Sequence, residues 1–475
     1  MKTLERQLAD YCEYQDELHG PLSVYEILGD SSSTSDGSAA PTRGRVHLNG
    51  TRANRFGWLV AGAAAVVVFA LIAFPGWLST GEPSVATPPA ATTPDAGPSS
   101  FENLSWQVID DPAVFGSGTV IYAVTASESL FVAVGAAPGE DPSPFCARRC
   151  GTSSDGSAAV WTSRDGTEWE RVPHEESIFG GPGGQAMWGV TAWEEGFIAV
   201  GVDGTSPGLG GSPDWTPQEA AVWTSPDGVS WSRVPHDEEV FAGPGRQEMW
   251  AVAASGAGLV AIGFDGEGPM TGSQEDQAIW VSDDGIAWSQ VFGFGVGGMN
   301  AIEATPSGYV GVGELSGAAV WTSDDGLNWS LTPDSPLDAD GRFMASIARQ
   351  GADYVAVSGA WDGREIVAWK SDDGVNWTFL SEVHPATGVE RFTPTAMAAS
   401  NSGFVIAAND EMGIFSDSGV DTTAVWTSTD GVIWTRAESD ENLLGGLIWA
   451  VAASDTTVVA CGYSDNGAVI WVGSP

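Results

Sequence analysis

The sequence predicts an all-β fold, a seven-bladed β-propeller made of four-stranded antiparallel blades. Three observations predict it. A nine-residue stretch with a tryptophan at each end occurs six times, beginning at residues 161, 223, 280, 321, 369 and 426. Short apolar strands and turns fill the space between the copies, and a seventh repeat is cut short at residue 475. The spacing between these copies indicates that each repeat is one supersecondary unit and that the units stack side by side.

Each repeat has the same order of segments, as residues 187–234 show. A first apolar strand, MWGVTAW, precedes a turn and a second strand, FIAVG. A loop then leads to the third strand, AAVWTS, the turn PDG and the fourth strand, VSWSRV. Short apolar strands joined by turn residues form antiparallel sheets, and four of them per unit form a propeller blade.

The tryptophan in the third strand gives the blade count. It occurs seven times, at Trp161, Trp223, Trp280, Trp321, Trp369, Trp426 and Trp471. The seventh copy lacks a following turn and fourth strand, but residues 104–109, LSWQVI, match the fourth strands of the other repeats. We therefore expect the N-terminal strand to complete the last blade, which closes the ring and removes open strand edges.

The Asp-Gly pair of each copy joins the third strand to the fourth. Glycine supplies the positive φ of a tight hairpin turn, and aspartate caps the turn by accepting bonds from nearby backbone N–H groups. A catalytic site is needed once rather than six times, so a structural role is predicted, with repeated calcium sites as the alternative. The turn aspartates are Asp165, Asp227, Asp284, Asp325, Asp373 and Asp430.

These stretches, such as WTSRDGTEW and WTSPDGVSW, resemble the Asp-box, or BNR, repeats of sialidase-like propellers. The resemblance covers residues 101–475 and is one of fold. The copies have one residue fewer than the usual box between the aspartate and the aromatic residue. In that family the boxes are structural and lie on the face opposite the active site, and the resemblance implies the same arrangement here.

The chain is strongly acidic. Its 475 residues include 18 Lys and Arg against 62 Asp and Glu, a formal net charge of −44. Such a field repels nucleic-acid phosphates and anionic lipid surfaces, so nucleic-acid binding is not expected. Cations, cationic peptides and neutral ligands fit the charge better, although an acidic surface also keeps a protein dissolved in salty water.

An uncharged stretch of 22 residues, 57–78, is long enough to cross a bilayer as a single transmembrane helix. Four arginines precede it, and no Lys or Arg follows until Arg148, which places the N-terminus in the cytoplasm. A cleaved signal peptide is the alternative. The predicted order is a short cytoplasmic helical segment (1–28), a disordered linker with a basic end (29–56), the membrane helix (57–78), a Pro/Thr/Ala-rich extracytoplasmic linker (79–100) and the propeller (101–475).

Two of the four cysteines, Cys146 and Cys150, bracket three residues in a loop. Outside the cell they would form a small disulfide. Cys461 lies in an apolar strand and is expected to be a buried thiol. No metal site or cofactor is predicted, and calcium on the acidic loops is left open.

Aligning the first strands gives one position per blade near the mouth of the central channel: Tyr122, Trp188, Trp250, Asn300, Ala345, Thr395 and Trp449. Tyr122, Trp188, Trp250 and Trp449 belong to adjacent blades. Near-copies of one loop add acidic residues at this face, including Glu175 and Asp237. Aromatic rings beside carboxylates suit a sugar ring or an apolar, cationic peptide. The alternative is that these side chains fill gaps between blades.

Arg246, Arg342 and Arg391 each fall just before a first strand and are the catalytic candidates. The resemblance implies that a sialidase would need three arginines, a tyrosine nucleophile with a glutamate partner, and an aspartate acid. The Phe/Tyr-Arg-Ile-Pro motif of that family is missing. The leading hypothesis is therefore a membrane-anchored extracytoplasmic module that binds a glycan or protein ligand without catalysis. A sialidase-like glycoside hydrolase, and a sensor signalling to a cytoplasmic partner of residues 1–28, are the alternatives.

Overall fold

The computed structural model describes part of the chain, namely residues 101, 104–138, 156–181, 183–204, 218–243, 246–266, 277–291, 298–315, 317–332, 342–360, 363, 365–384, 392–410, 423–437, 446–464 and 467–475. The chain divides into two units, Met1–Thr87 and Pro88–Pro475, and all described residues belong to the second. The predictions for residues 1–100 and for the Cys146–Cys150 disulfide lie outside the described residues. Within those residues, no helix has the length and apolar character needed to span a bilayer.

Seven four-stranded antiparallel sheets confirm the predicted propeller. Blade one is β2 (Val120–Ala126), β3 (Phe131–Ala137), β4 (Ser157–Ser163) and β5 (Glu170–Arg171); blade two is β6 (Gln185–Trp193), β7 (Gly196–Asp203), β8 (Glu219–Ser225) and β9 (Ser232–Arg233); blade three is β10 (Arg246–Ser255), β11 (Gly258–Gly266), β12 (Gln277–Ser282) and β13 (Trp288–Val291); blade four is β14 (Met299–Thr305), β15 (Gly308–Glu314), β16 (Ala318–Ser323) and β17 (Ser330–Leu331).

The remaining blades continue in chain order. Blade five is β18 (Arg342–Gln350), β19 (Asp353–Ala360), β20 (Ile366–Ser371) and β21 (Thr378–His384); blade six is β22 (Phe392–Ser400), β23 (Gly403–Asp410), β24 (Thr423–Ser428) and β25 (Thr435–Arg436); blade seven is β26 (Gly446–Ala453), β27 (Val458–Ser464), β28 (Gly467–Ser474) and β1 (Ser105–Ile109). Two four-residue helices, α1 (Pro112–Phe115) and α2 (Glu176–Phe179), precede blades one and two.

The N-terminal strand closes the ring, as the sequence predicts. β1 pairs antiparallel with β28 over its whole length, from Ser105 opposite Ser474 to Ile109 opposite Ile470. The first strand of each blade contacts the first strands of both neighbouring blades, so the seven inner strands form a closed ring. The third-strand tryptophans are all at most 3% exposed and form part of the core between the blades.

The six Asp-Gly turns share one hydrogen-bond pattern. The serine hydroxyl accepts a bond from the glycine N–H at 2.8–2.9 Å. The aspartate Oδ1 accepts bonds from the N–H groups two and three residues further on, at 2.6–3.0 Å. The closing tryptophan Nε1 donates to the glycine carbonyl at 2.6–3.1 Å. These bonds give all six aspartates a structural role.

The glycine of each turn has a positive φ, between 71° and 82°, and lies against the preceding blade. A Cβ added to it would be 2.6–3.0 Å from a side chain of that blade, for example Val260 at Gly326 and Val355 at Gly431. Both the backbone conformation and the close packing therefore require glycine. The turns link six of the seven pairs of neighbouring blades.

Blade seven has no such turn, and other residues join it to blade six. The Asp455 carboxylate accepts bonds from the backbone and side chain of Asn401, at 3.0 and 3.1 Å. Phe101 and Trp106, from the start of the described chain, belong to one buried cluster with Val405 of blade six. Cys461 is fully buried and forms no disulfide, as expected, and burial raises the pKa of its thiol.

We expect Asp325→Ala to lower the free energy of unfolding by about 1 kcal/mol at neutral pH, because two backbone N–H groups lose their acceptor. The backbone N–H and then the side chain of Asn328 lower the pKa of Asp325 to about 2. A carboxylate whose pKa is lowered by folding stabilises the fold above about pH 4, and this stabilisation is lost as the pH falls towards about 2. Urea unfolding at both pH values measures the effect.

The matched control is Asp324→Ala, which removes the neighbouring carboxylate of the same turn, one that accepts none of these bonds. The difference in unfolding free energy between the wild type and Asp325→Ala should shrink as the pH is lowered. An equal difference at both pH values would contradict the capping role.

Candidate functional site

Every first strand has a β-bulge near its beginning. The register with the second strand shifts by one residue, and the extra residues are the seven positions that the sequence alignment singles out: Tyr122, Trp188, Trp250, Asn300, Ala345, Thr395 and Trp449. A bulge bends the strand and redirects the side chain of the extra residue. Each bulge therefore redirects one side chain per blade, and the seven redirected side chains lie at one level of the inner ring.

Glycines of the second strand allow the bulge in five blades. At Gly135, Gly201, Gly263, Gly313 and Gly462, an added Cβ would lie only 1.8–2.0 Å from a carbonyl oxygen of the first strand. Blades five and six have Ser358 and Ala408 at the equivalent position. The five glycine-bearing blades are consecutive around the ring, and four of them carry the aromatic bulge residues.

Three of these aromatic rings form a continuous array, which we call the aromatic arc. The Tyr122 ring lies 6.2 Å from the Trp449 ring and 6.5 Å from the Trp188 ring, both edge-on at 76°. Such edge-to-face geometry is favourable for aromatic pairs. Trp449 is 40% exposed, whereas Tyr122 and Trp188 are half-buried. The arc therefore spans blades seven, one and two and leaves one large indole face accessible.

The rest of the ring at this level continues the aromatic side in blade three and is less apolar in blades four to six. Trp250 of blade three is half-buried among apolar side chains that include Met299 and Tyr309. The Asn300 side chain donates a bond to the Met344 carbonyl at 2.8 Å, and the Thr395 hydroxyl donates to the Ala407 carbonyl at 3.3 Å. At the level of the bulges, one side of the inner ring is therefore aromatic, and the other carries small or hydrogen-bonded side chains.

Two of the candidate arginines are held by carboxylates of their own blades. Arg246, which begins β10, forms an ion pair with Glu248 and donates to Gln218 at 3.1 Å. Arg342, which begins β18, forms an ion pair with Glu365. The third candidate, Arg391, lies outside the described residues. Arg246 and Arg342 stand in blades three and five, which are not neighbours, and each has an internal partner.

Glu248 is the most buried acid of this region, with no exposed surface. Burial raises the pKa of its carboxyl, and the charge and hydrogen bond of Arg246 oppose that rise. A buried carboxylate needs a partner of this kind to remain charged. The ion pair is therefore explained by the folding of the blade alone.

Glu175 and Asp237 order their own loops. The Glu175 side chain accepts a bond from the Ser177 hydroxyl at 2.9 Å, just before α2, and Asp237 accepts one from the Glu239 N–H at 3.0 Å. The loop carbonyls of Ile178 and Val240 accept bonds from the indoles of Trp223 and Trp280, at 2.7 and 2.8 Å. The two loops thus pack on the third strands of blades two and three. Among the described residues, no group of three His, Cys, Asp or Glu side chains is arranged to hold a metal.

No protein-family model and no curated protein sequence matches the chain. Solved structures of similar fold include one described as YCF48 bound to D1 peptide, at 16% identity and a TM-score of 0.49, covering 79% of this chain and 97% of that one. The β-propeller domain of Cps50 (Swd1) from Myceliophteria thermophila follows at 10% identity and 0.44, covering 78% and 100%. A Trypanosoma rangeli sialidase in complex with sialic acid has 13% identity and 0.38, covering 78% and 59%. At these identities the comparisons bear on the fold alone.

We expect Gly201→Ala to destabilise blade two by about 2–4 kcal/mol, because its Cβ would lie 2.0 Å from the Ala186 carbonyl oxygen. The bulge at Trp188 would have to shift to relieve the contact. Chemical unfolding measures the loss. Gly256→Ala is the control, because a Cβ there meets no atom closer than 3.8 Å. Equal effects of the two substitutions would contradict the role of the glycine in the bulge.

Proposed function

We propose that the protein is a non-catalytic binding module that recognises a protein ligand at the mouth of the propeller channel. The aromatic arc of Tyr122, Trp188 and Trp449 is the observation that carries this proposal. Large aromatic side chains dominate binding at protein interfaces because they bury much apolar area and lose little conformational entropy. Trp449 provides the accessible part of the surface.

The charge of the chain indicates the class of ligand. A net charge of −44 favours a cationic partner, and an indole face attracts a Lys or Arg side chain as well as an apolar one. The proposed ligand is therefore a peptide segment that combines apolar and basic side chains. A neutral glycan, which would also stack on indole rings, is the competing ligand that the experiment distinguishes.

The sialidase-like alternative has less support. A sialidase would need arginines that are accessible to a substrate carboxylate. Arg246 and Arg342 instead form ion pairs with Glu248 and Glu365. Each arginine therefore already has a carboxylate partner within the protein, and in blade three this partner, Glu248, is itself buried.

We expect Trp449→Ala and Trp188→Ala to weaken binding of a basic, apolar peptide by about tenfold or more, since aromatic anchors contribute most of the binding free energy at such sites. Fluorescence polarisation with labelled peptides rich in Arg and Leu measures it, with acidic peptides and neutral oligosaccharides as competitors. Ile433→Ala is the matched control, because Ile433 is 73% exposed but lies in an Asp-Gly turn at the other end of its blade. Tighter binding of the oligosaccharides, or an equal loss in Ile433→Ala, would contradict the proposal.

The proposed location is the outer face of a membrane, with residues 57–78 crossing it once and the N-terminus in the cytoplasm. The uncharged 22-residue stretch and the arginines before it support this orientation. We expect a protease added to intact cells to remove a C-terminal tag and spare an N-terminal one. Protection of both tags would contradict the orientation. A sensor role would further require that residues 1–28 bind a cytoplasmic partner, which a pull-down with that peptide tests.

A further inference from the structure

A cavity of about 590 Å³ lies between blades four and five, on the face that carries the Asp-Gly turns. Its walls are the turns between the first and second strands and the Asp-Gly turns of the two blades. The residues that matter most for its chemistry are Arg349, Tyr354, Asp324, Asp372, Val310 and Val375. This volume is within the range of sites that bind small molecules.

The cavity exists because this pair of blades packs differently from the others. At the turn glycines of blades two, three, four and six, a large side chain lies 3.3–3.5 Å from an added Cβ, in addition to the aliphatic contact with the preceding blade. Among the described residues outside its own stretch of chain, only Val310 lies within 4 Å of a Cβ added at Gly374. The aromatic residue of blade five that corresponds to Tyr309 and Phe404 is Tyr354, and the Arg349 guanidinium lies 5.7 Å from the centre of its ring. The space beside Gly374 stays open.

Arg349 lines the cavity and forms no ion pair with a carboxylate of the described residues. Its Nε is buried and has no partner among them. Three other arginines, Arg233, Arg246 and Arg342, each form an ion pair with a carboxylate. Arg349 is partly buried, and a carboxylate is the partner that satisfies a guanidinium best.

Glu303 is a carboxyl on which the Arg349 charge acts, although the two form no ion pair. Burial raises the pKa of Glu303 to about 7, against the opposing effects of the Ala304 N–H and the Arg349 charge.

The rim of the cavity has the opposite sign. Asp324 and Asp372 are exposed, each being the first aspartate of an Asp-Asp-Gly turn whose second aspartate makes the capping bonds. A purely anionic ligand would meet these two charges, and a purely cationic one would leave the Arg349 guanidinium without an anionic partner. A ligand with a carboxylate at one end and an ammonium group at the other satisfies both.

We propose that this cavity is a second binding site, which takes a small zwitterion such as a dipeptide. The carboxylate of the ligand lies on Arg349, its ammonium group faces Asp324 and Asp372, and an apolar side chain contacts Val375, which is 40% exposed. The site is on the opposite face from the aromatic arc and does not depend on it.

Isothermal titration calorimetry of the full chain with three related probes tests the proposal. Glycyl-leucine carries both charges, N-acetyl-glycyl-leucine only the carboxylate, and glycyl-leucinamide only the ammonium group. We expect glycyl-leucine to bind, and the two capped probes to bind at least about tenfold more weakly. Binding of either capped probe as tightly as glycyl-leucine, or no binding of glycyl-leucine at about 10 mM, would overturn the proposal.

Variants then locate the site. Arg349→Gln should weaken glycyl-leucine binding by about tenfold, and Asp372→Asn by about threefold. Asp283→Asn is the matched control, because Asp283 holds the same turn position in blade three and does not line the cavity.

If Arg349→Gln fails to fold, the comparison of Asp372→Asn with Asp283→Asn still decides, since both are exposed turn residues. Equal binding by these two variants would overturn the location. Trp449→Ala should bind glycyl-leucine as the wild type does. The result of this test is therefore independent of whether a peptide binds at the aromatic arc.

Discussion

The propeller depends on one contact, the glycine of each Asp-Gly turn against the second strand of the preceding blade. The turn hydrogen bonds fix the backbone so that this glycine reaches its neighbour, where any side chain would collide with residues such as Val260 or Val355. The repeated stretch is therefore both a hairpin turn and the means by which consecutive blades are held together. This explains why it recurs six times without a repeated chemical function.

Departures from this contact mark the two unusual places of the ring. Between blades six and seven the turn is absent, and the bonds of Asp455 to Asn401 and the burial of Phe101 replace it. Between blades four and five the turn is present, but Tyr354 packs under Arg349 and leaves a cavity. A repeat protein thus gains an individual site where one copy of a common contact is incomplete.

The sequence predicted the fold well because repeated patterns report local structure. The seven blades are confirmed, and so is the closing strand, predicted at 104–109 and found at 105–109. The turn aspartates accept the backbone bonds expected of capping residues. The bulges were not predicted, although a signal existed: glycines such as Gly201 inside a strand often mark a bulge. The partners of Arg246 and Arg342 and the position of the Tyr354 ring were not predictable, because they depend on side-chain packing and give no periodic signal.

The closing strand has a mechanical consequence. Residues 1–104 join the propeller through β1, which no turn connects to β28, so any tension on the N-terminal segment acts first on this strand. Five residue pairs and the buried side chains of Phe101 and Trp106 resist that tension. A ring tethered in this way would yield at blade seven first, and the release of β1 would expose the edge of β28 to another chain.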